Sequence, residues 1–307
     1  MSAREHRAVT VTGLIAGFAI AATLSSCSSS TPPSTDDVLK IGAIPDQNPE
    51  KLNRLYGSLS AELNAALEVP VKYIPVSNYA AAVSAFRTGS LDVVWFGGLT
   101  GVQARLQTPG AKVLAQRDID AKFTSVFIAN GASGLRPITS SDQLVQLKGR
   151  RLAFGSESST SGRLMPQYFL AENGVSITDL AGGGPGFSGS HDATIAVVQS
   201  GAYDVGALNE QVWSSNVEEG RVDPTKVAVI WRTPTYADYH WLARPDLDRR
   251  FGSGFTERVQ NALLSLSAET EAGSEILELF GAERFIPARD EDYKKIESVG
   301  RDLGKIR

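Results

Sequence analysis

The sequence predicts an α/β protein of two lobes, each a βαβ-type sheet with flanking helices, joined by two hinge strands. Three observations predict it. From Leu39 onward, apolar runs of strand length alternate with helical periodicity, which implies parallel strands joined by right-handed crossovers. That alternation is written twice. Residues 79–98 and 191–210 each read as a helix, a Gly-x-x-Asp step and a short apolar strand, and Gly89/Gly201, Asp92/Asp204 and Val93/Val205 share an offset of 112 residues. The same offset links Leu52 with Leu164 and Tyr56 with Tyr168, and a constant offset marks duplicated units. Third, the body after residue 37 is long enough for two separate cores.

The first residues speak to compartment. Arg4, His6 and Arg7 precede an apolar run from Val9 to Leu24. That run is shorter than the ~20 residues a spanning helix needs, and it ends in small residues as a cleavable signal does. Leu24-Ser25-Ser26-Cys27 resembles the bacterial lipobox, in which cleavage before the cysteine leaves a thiol that carries diacylglycerol. The plainer alternative is a secretory signal with an incidental cysteine, but Cys27 is the single cysteine of the chain. Residues 1–26 are therefore expected to be a lipoprotein signal peptide. Residues 27–37, rich in Ser, Thr and Pro, are expected to be the lipidated cysteine and a flexible tether. A lipidated Cys27 leaves no thiol for a disulfide, a nucleophile or a zinc ligand.

The full chain has an ordinary globular composition, 42% apolar and 21% charged, with a net charge of −4. That balance argues against nucleic acid, which needs a basic patch. It leaves open a small anion held by local dipoles. The first copy opens with the strand at 39–44 and the second with that at 151–155. The stretches 123–130 and 227–233 read as the hinge strands. Lobe 1 is thus expected to comprise 38–125 and 234–307, with a helical C-terminal part, and lobe 2 to comprise 126–233.

In open α/β sheets, ligands bind beyond the carboxyl ends of strands, beside helix starts. The strand at 152–154 leads into Gly-Ser-Glu-Ser-Ser-Thr-Ser-Gly, so Ser159, Thr160 and Ser161 place three hydroxyls and free N–H groups at a helix start. Plain N-capping explains one such hydroxyl, whereas an oxyanion cradle explains all three. The offset places Tyr79 and His191 at equivalent helix starts, as donors facing each other across the cleft. Phe96 and Glu210 end equivalent strands, and Tyr236 and Asp238 follow the second hinge strand. A carboxylate beside a dianion repels it unless it meets a proton or an ammonium group. Contact from Glu210 or Asp238 would therefore favour an aminophosphonate, phosphite or phosphate. Either residue is equally readable as a solvated or hinge-locking carboxylate.

At these residues a family becomes recognisable. Ser-Ser-Thr-Ser-Gly, Gly-Ser-His-Asp-Ala-Thr, Val-Trp-Phe-Gly-Gly and Ala-Leu-Asn-Glu resemble the phosphate/phosphite/phosphonate-binding proteins of ABC importers, from Leu39 to about Pro287. The runs Ile44-Pro-Asp-Gln-Asn-Pro-Glu-Lys-Leu, Ser-Ser-Thr-Ser-Gly-x-Leu-Met-Pro and Thr-Pro-x-Tyr-x-Asp-Tyr-x-Trp look like a branch labelled putative selenate-binding, which gives selenate or selenite as the alternative ligand in the same role. The resemblance implies a type II periplasmic-binding fold and an oxyanion on Ser159, Thr160 and Ser161, with Tyr79 and His191 as further contacts. It also implies Glu210 and Asp238 as the nearest matches to the carboxylates that hold an amine. The expected protein is a monomeric lipoprotein, membrane-attached through its lipid, partnered by an ABC permease and its ATPase, and without a cofactor. Phe123 departs from the family, which often has an aromatic hydroxyl there.

The rival classes are an exported hydrolase and an anion sensor. The hydrolase lacks support, because no Gly-x-Ser-x-Gly occurs and His191 and His240 have no metal-ligand spacing. Gly184-Pro-Gly-Phe-Ser-Gly189 matches a dinucleotide fingerprint but follows no clear strand.

Overall fold

The computed structural model describes residues 37–307, together with Met1, Ala8 and Thr10. The chain divides into two units, Met1–Pro32 and Pro33–Arg307, and the described strands and helices belong to the second. The signal peptide, Cys27 and most of the tether lie outside the described residues. Among the described residues no helix is long and apolar enough to cross a membrane.

The first lobe starts with β1 (Leu39–Ala43), α1 (Pro49–Leu67), β2 (Val71–Tyr73), α2 (Tyr79–Thr88), β3 (Val93–Phe96), α3 (Gly98–Gln107) and β4 (Lys112–Arg117). The second lobe follows with β5 (Ser125–Asn130), β6 (Leu152–Phe154), α4 (Met165–Glu172), β7 (Gly186–Phe187), α5 (His191–Gln199), β8 (Val205–Asn209), α6 (Glu210–Glu218) and β9 (Val227–Arg232). The chain then returns through β10 (His240–Ala243), α7 (Leu247–Phe251), α8 (Phe255–Leu264), α9 (Glu271–Phe280), β11 (Phe285–Pro287) and α10 (Lys294–Asp302).

Local chemistry sets these elements. α1 begins where the Asn48 side chain accepts from the N–H groups of Glu50 and Lys51, with Pro49 in the first turn. Its buried residues Leu52, Leu55, Tyr56, Leu59, Leu63 and Leu67 form one stripe at 3/4 spacing. α8 and α9 pack on α1, and α10 packs on α3.

Six strands form the first sheet in the order β11-β4-β10-β3-β1-β2, and five form the second as β7-β6-β8-β5-β9. β1 is parallel to β2 and β3, as β6 is to β7 and β8. β10 then runs antiparallel to β3, as β5 does to β8. The duplication is therefore one of topology as well as wording. α2 is capped by Asn78 accepting from Ala81 N, and α5 by Ser190 accepting from Ala193 N, at the same offset. Asp92 and Asp204 both take a backbone N–H from the neighbouring parallel strand, Lys40 and Arg151 respectively.

The hinge differs in place from the expectation. β5 and β9 lie inside the second sheet, paired to each other. The chain crosses just before β5 and again after β9, where Phe123 and Tyr236 form a single antiparallel bridge.

Gly89 and Gly201 both have φ of +79°, a left-handed conformation that a side chain disfavours. A Cβ there would meet only ordinary contacts, at 3.6 Å from Arg244 Cζ and 3.7 Å from Asn130 Nδ2. Gly89→Ala and Gly201→Ala should therefore each cost about 1 kcal/mol through the backbone alone. Paired urea titrations check this, and a cost confined to one site would break the equivalence.

Candidate functional site

The cleft is built at the carboxyl ends of the parallel strands of both sheets, where the repeat directs its loops. From β6 the chain reaches Ser159, whose hydroxyl accepts from Gly162 N at 2.9 Å. Residues Thr160–Leu164 then form one π-helical turn ahead of α4, a geometry common at functional sites. Gly162 is required by crowding, because a Cβ would stand 2.8 Å from Ser159 Oγ and 3.1 Å from His191 Cε1. The Ser161 carbonyl accepts from Ser125 Oγ at 2.7 Å.

The first lobe closes on this turn. Thr160 Oγ1 accepts from Leu99 N, in the first turn of α3, at 2.9 Å. The Asp46 carbonyl accepts from His191 N at 3.0 Å. Asn48 N donates to Asp192 Oδ2 at 2.6 Å. Asp238 Oδ1 accepts from Gly98 N at 2.9 Å.

Ser159, Thr160, Ser161, Tyr79, His191 and Asp238 are thus brought together, none more than 2% exposed. Tyr236 reaches the cradle indirectly, its hydroxyl bonded to Ser125 Oγ. Two expected contacts do not join them. Phe96 is buried edge-on against Phe86 in the lobe core, and the backbone of Gly97 and Gly98 faces the cleft in its place. A Cβ on Gly97 would lie 3.2 Å from Thr160 Oγ1 and 3.4 Å from Asp238 Oδ1. Glu210 turns to the hinge, where its carboxylate takes Thr124 Oγ1 and the Arg232 guanidinium. It is held there by an opposite charge and is not free to meet a ligand amine.

Three residues escaped the sequence reading. Tyr239 Oη meets His191 Nε2 at 3.2 Å and accepts from Asn209 Nδ2 at 3.2 Å. Asp46, 3% exposed, faces the Tyr239 hydroxyl. A signal for Asp46 and Asn209 existed: carried back by 112 residues, the cradle loop falls on the loop after β1, and Asn209 stands at the offset from Gly97. Asn209 N donates to His191 Nδ1 at 3.4 Å, which leaves the ring proton on Nε2.

Burial dominates the titration of the site. It pushes the Asp238 carboxyl up to about 7, against the opposing pull of the Gly98 N–H. It pushes Asp46 up to about 6, with the Tyr239 hydroxyl opposing. It pulls His191 down to about 4, so the imidazole is neutral. Among the described residues, the buried polar atoms left without a hydrogen bond include Tyr79 Oη and Asp238 Oδ2. Tyr79 lies beside the Ser159 hydroxyl, and the Asp238 carboxyl lies beside those of Thr160 and Ser161. A donor and an acid, each with an unsatisfied atom, thus lie beside three hydroxyls. No group of His, Cys, Asp and Glu that could hold a metal ion occurs among the described residues.

This arrangement fits known proteins. The family model described as "ABC transporter, phosphonate, periplasmic substrate-binding protein" matches residues 41–293. The probable ABC transporter phosphite binding protein PhnD1 of Prochlorococcus marinus is 53% identical over 274 residues, covering 89% of this chain and 92% of that protein. The solved structure of PhnD1 from that organism, in complex with methylphosphonate, superposes with a TM-score of 0.86 at 54% identity, covering 88% of this chain and 99% of that one. The phosphate-import protein PhnD of Mycolicibacterium smegmatis is 25% identical over 77% of this chain and 76% of its own length. These relatives are named as a phosphite-binding protein of an ABC transporter and a phosphate-import protein. The chain belongs to the phosphonate periplasmic substrate-binding family of ABC transporters.

Proposed function

We propose that the chain captures phosphite or a small alkylphosphonate such as methylphosphonate as its singly protonated anion, closes its lobes around it, and delivers it to an ABC permease and its ATPase. The observation that carries this reading is the pair of unpartnered buried atoms, Tyr79 Oη and Asp238 Oδ2, on residues that neighbour the Ser159–Ser161 hydroxyls. A tetrahedral oxyanion offers acceptors to Tyr79 and the cradle hydroxyls. A protonated oxygen is what an acid of pKa about 7 accommodates. Sulfate and selenate carry no such proton at neutral pH. Glu210, one of the two carboxylates expected to hold an amine, is paired with Arg232 instead, which speaks against aminoalkylphosphonates. The relatives named for phosphite and solved with methylphosphonate support the same choice. The protein acts as a monomer tethered to the membrane by lipid on Cys27.

In calorimetric titrations, phosphite and methylphosphonate should bind at least tenfold more tightly than sulfate, selenate or aminoethylphosphonate, about 1.4 kcal/mol or more. Equal affinity for selenate would remove the role given to Asp238. Thr160→Ala should weaken binding by about 1–3 kcal/mol, because the ligand loses a donor and the buried Leu99 N–H loses its acceptor.

The site needs one proton between Asp238 and the ligand oxygen it faces. Affinity for methylphosphonate should therefore fall as pH rises from about 6 to about 9, through the carboxyl's own transition. Asp238→Asn, which keeps a donor, should flatten that profile, and an unchanged profile in the variant would assign the proton elsewhere. Cys27→Ser should shift the protein from the membrane fraction to the soluble fraction, as judged by fractionation and immunoblot.

A further inference from the structure

Every residue facing the anion position is buried, so the cleft must open before a ligand can enter. Opening separates what the closed cleft joins, and many of those joins are single polar contacts. Asp46 to His191, Asn48 to Asp192 and Leu99 to Thr160 are of this kind. Each is exchanged for a bond to water when the lobes part, so each contributes little net closing free energy.

One join is of another kind. Leu164 and Met165 directly follow the cradle on the second lobe's chain, yet both are 1% exposed within the first lobe's apolar cluster. Neither belongs to the apolar clusters of the second lobe, although Leu170, further along α4, does. The cradle turn touches α3 and α10 of the first lobe, and α4 touches α10. Beside them, Lys295 on α10 donates to Tyr168 Oη at 3.0 Å and sits over its ring. The turn is stiff: Leu164 N donates to the Ser159 carbonyl at 2.9 Å, and Met165 N donates to that of Thr160. A displacement of Leu164 or Met165 is therefore passed to Ser159, Thr160 and Ser161.

We propose that Leu164 and Met165 form an apolar plug that seats in the first lobe on closure, positions the cradle around the anion and sets how long the cleft stays shut. The proposal rests on the oxyanion-binding reading above and adds what holds that site closed. Apolar surface leaves water only when the plug is seated, so the plug favours closure with or without ligand. Entry of ligand into the open cleft does not involve it, whereas release does.

The test uses the full-length protein with methylphosphonate as probe, and Met165→Ala, Leu164→Ala, the near-isosteric polar Met165→Gln, and Met165→Leu. Stopped-flow binding should show the dissociation rate rising tenfold or more in the first three variants. The association rate should change less than threefold, and Met165→Leu should restore wild-type release. Small-angle scattering of ligand-free protein should give a larger radius of gyration for Met165→Gln than for wild type. Met165→Gln keeps side-chain length, so it serves where an alanine variant fails to fold. An unchanged dissociation rate in a Met165→Gln protein with a wild-type thermal melt overturns the plug, as does a loss of affinity carried wholly by association. A wild-type protein that binds no oxyanion sinks the function reading, and the scattering comparison then decides the plug alone.

Discussion

The cleft is shaped by one constraint, the burial of an anion beside the carboxyl groups of Asp46 and Asp238, with Arg117 and Arg163 committed to other partners. Arg117 is held by Asp120 at 2.7 Å and enclosed by the rings of Trp95, Phe123 and Tyr239. Arg163 lies over Phe187 and bonds Gln167. In the proposed site, charge is therefore met by neutral dipoles: the hydroxyls of Ser159, Thr160 and Ser161 on a helical turn, and that of Tyr79. Such donors lose little on desolvation compared with an ammonium group. They also discriminate by proton count, because the site's own acid has to share or receive one. The depressed His191 and the raised Asp238 are two consequences of the same dryness.

That dryness has a consequence for stability. Asp46 and Asp238 keep their protons to about 6 and 7 when folded, against an ordinary carboxyl value of 3.8. The folded state binds more protons in that window, so these acids make stability fall as pH rises through it. His191 and His240, pulled by burial to about 4 and 3 from 6.5, act in the opposite sense, since there the unfolded chain holds the extra protons. The two pairs overlap between about pH 4 and 6 and oppose each other there. Within that window the contributions of these four buried groups to stability partly cancel.

How much of this was legible depends on what repeats. Equivalent caps, glycines and aspartates recur at one offset because each lobe solves the same βαβ problem, so the placing of Tyr79 and His191 at equivalent helix starts was readable from spacing. The misses come from places where strand geometry stops. Residues 236–239 precede β10, so the alternation of a strand does not apply, and Tyr239 was missed there although it is buried with Tyr236 and Asp238, which were expected. Phe96 was misplaced for the opposite reason: it is still in β3, and pleat alternation sends its ring to the core. Glu210 depended on a partner, Arg232, that lies across the sheet and far along the chain.

The hinge and the cradle turn out to share atoms. Ser125, the first residue of β5, donates to the Ser161 carbonyl and is bonded to Tyr236, which bridges back to Phe123. Glu210 grips Thr124 one residue earlier. Phe123 brings no hydroxyl, but its ring packs edge-on against Tyr236 and Tyr239, whose hydroxyls serve the crossing and the cleft. Rotation about the crossing therefore moves the Ser161 carbonyl directly, while Leu164 and Met165 anchor the other end of the same turn in the first lobe. A turn pinned at one end within the second lobe and at the other by its contact with the first presents its three hydroxyls in one arrangement when shut. That preorganisation lets neutral donors do what a flexible cation would otherwise be needed for.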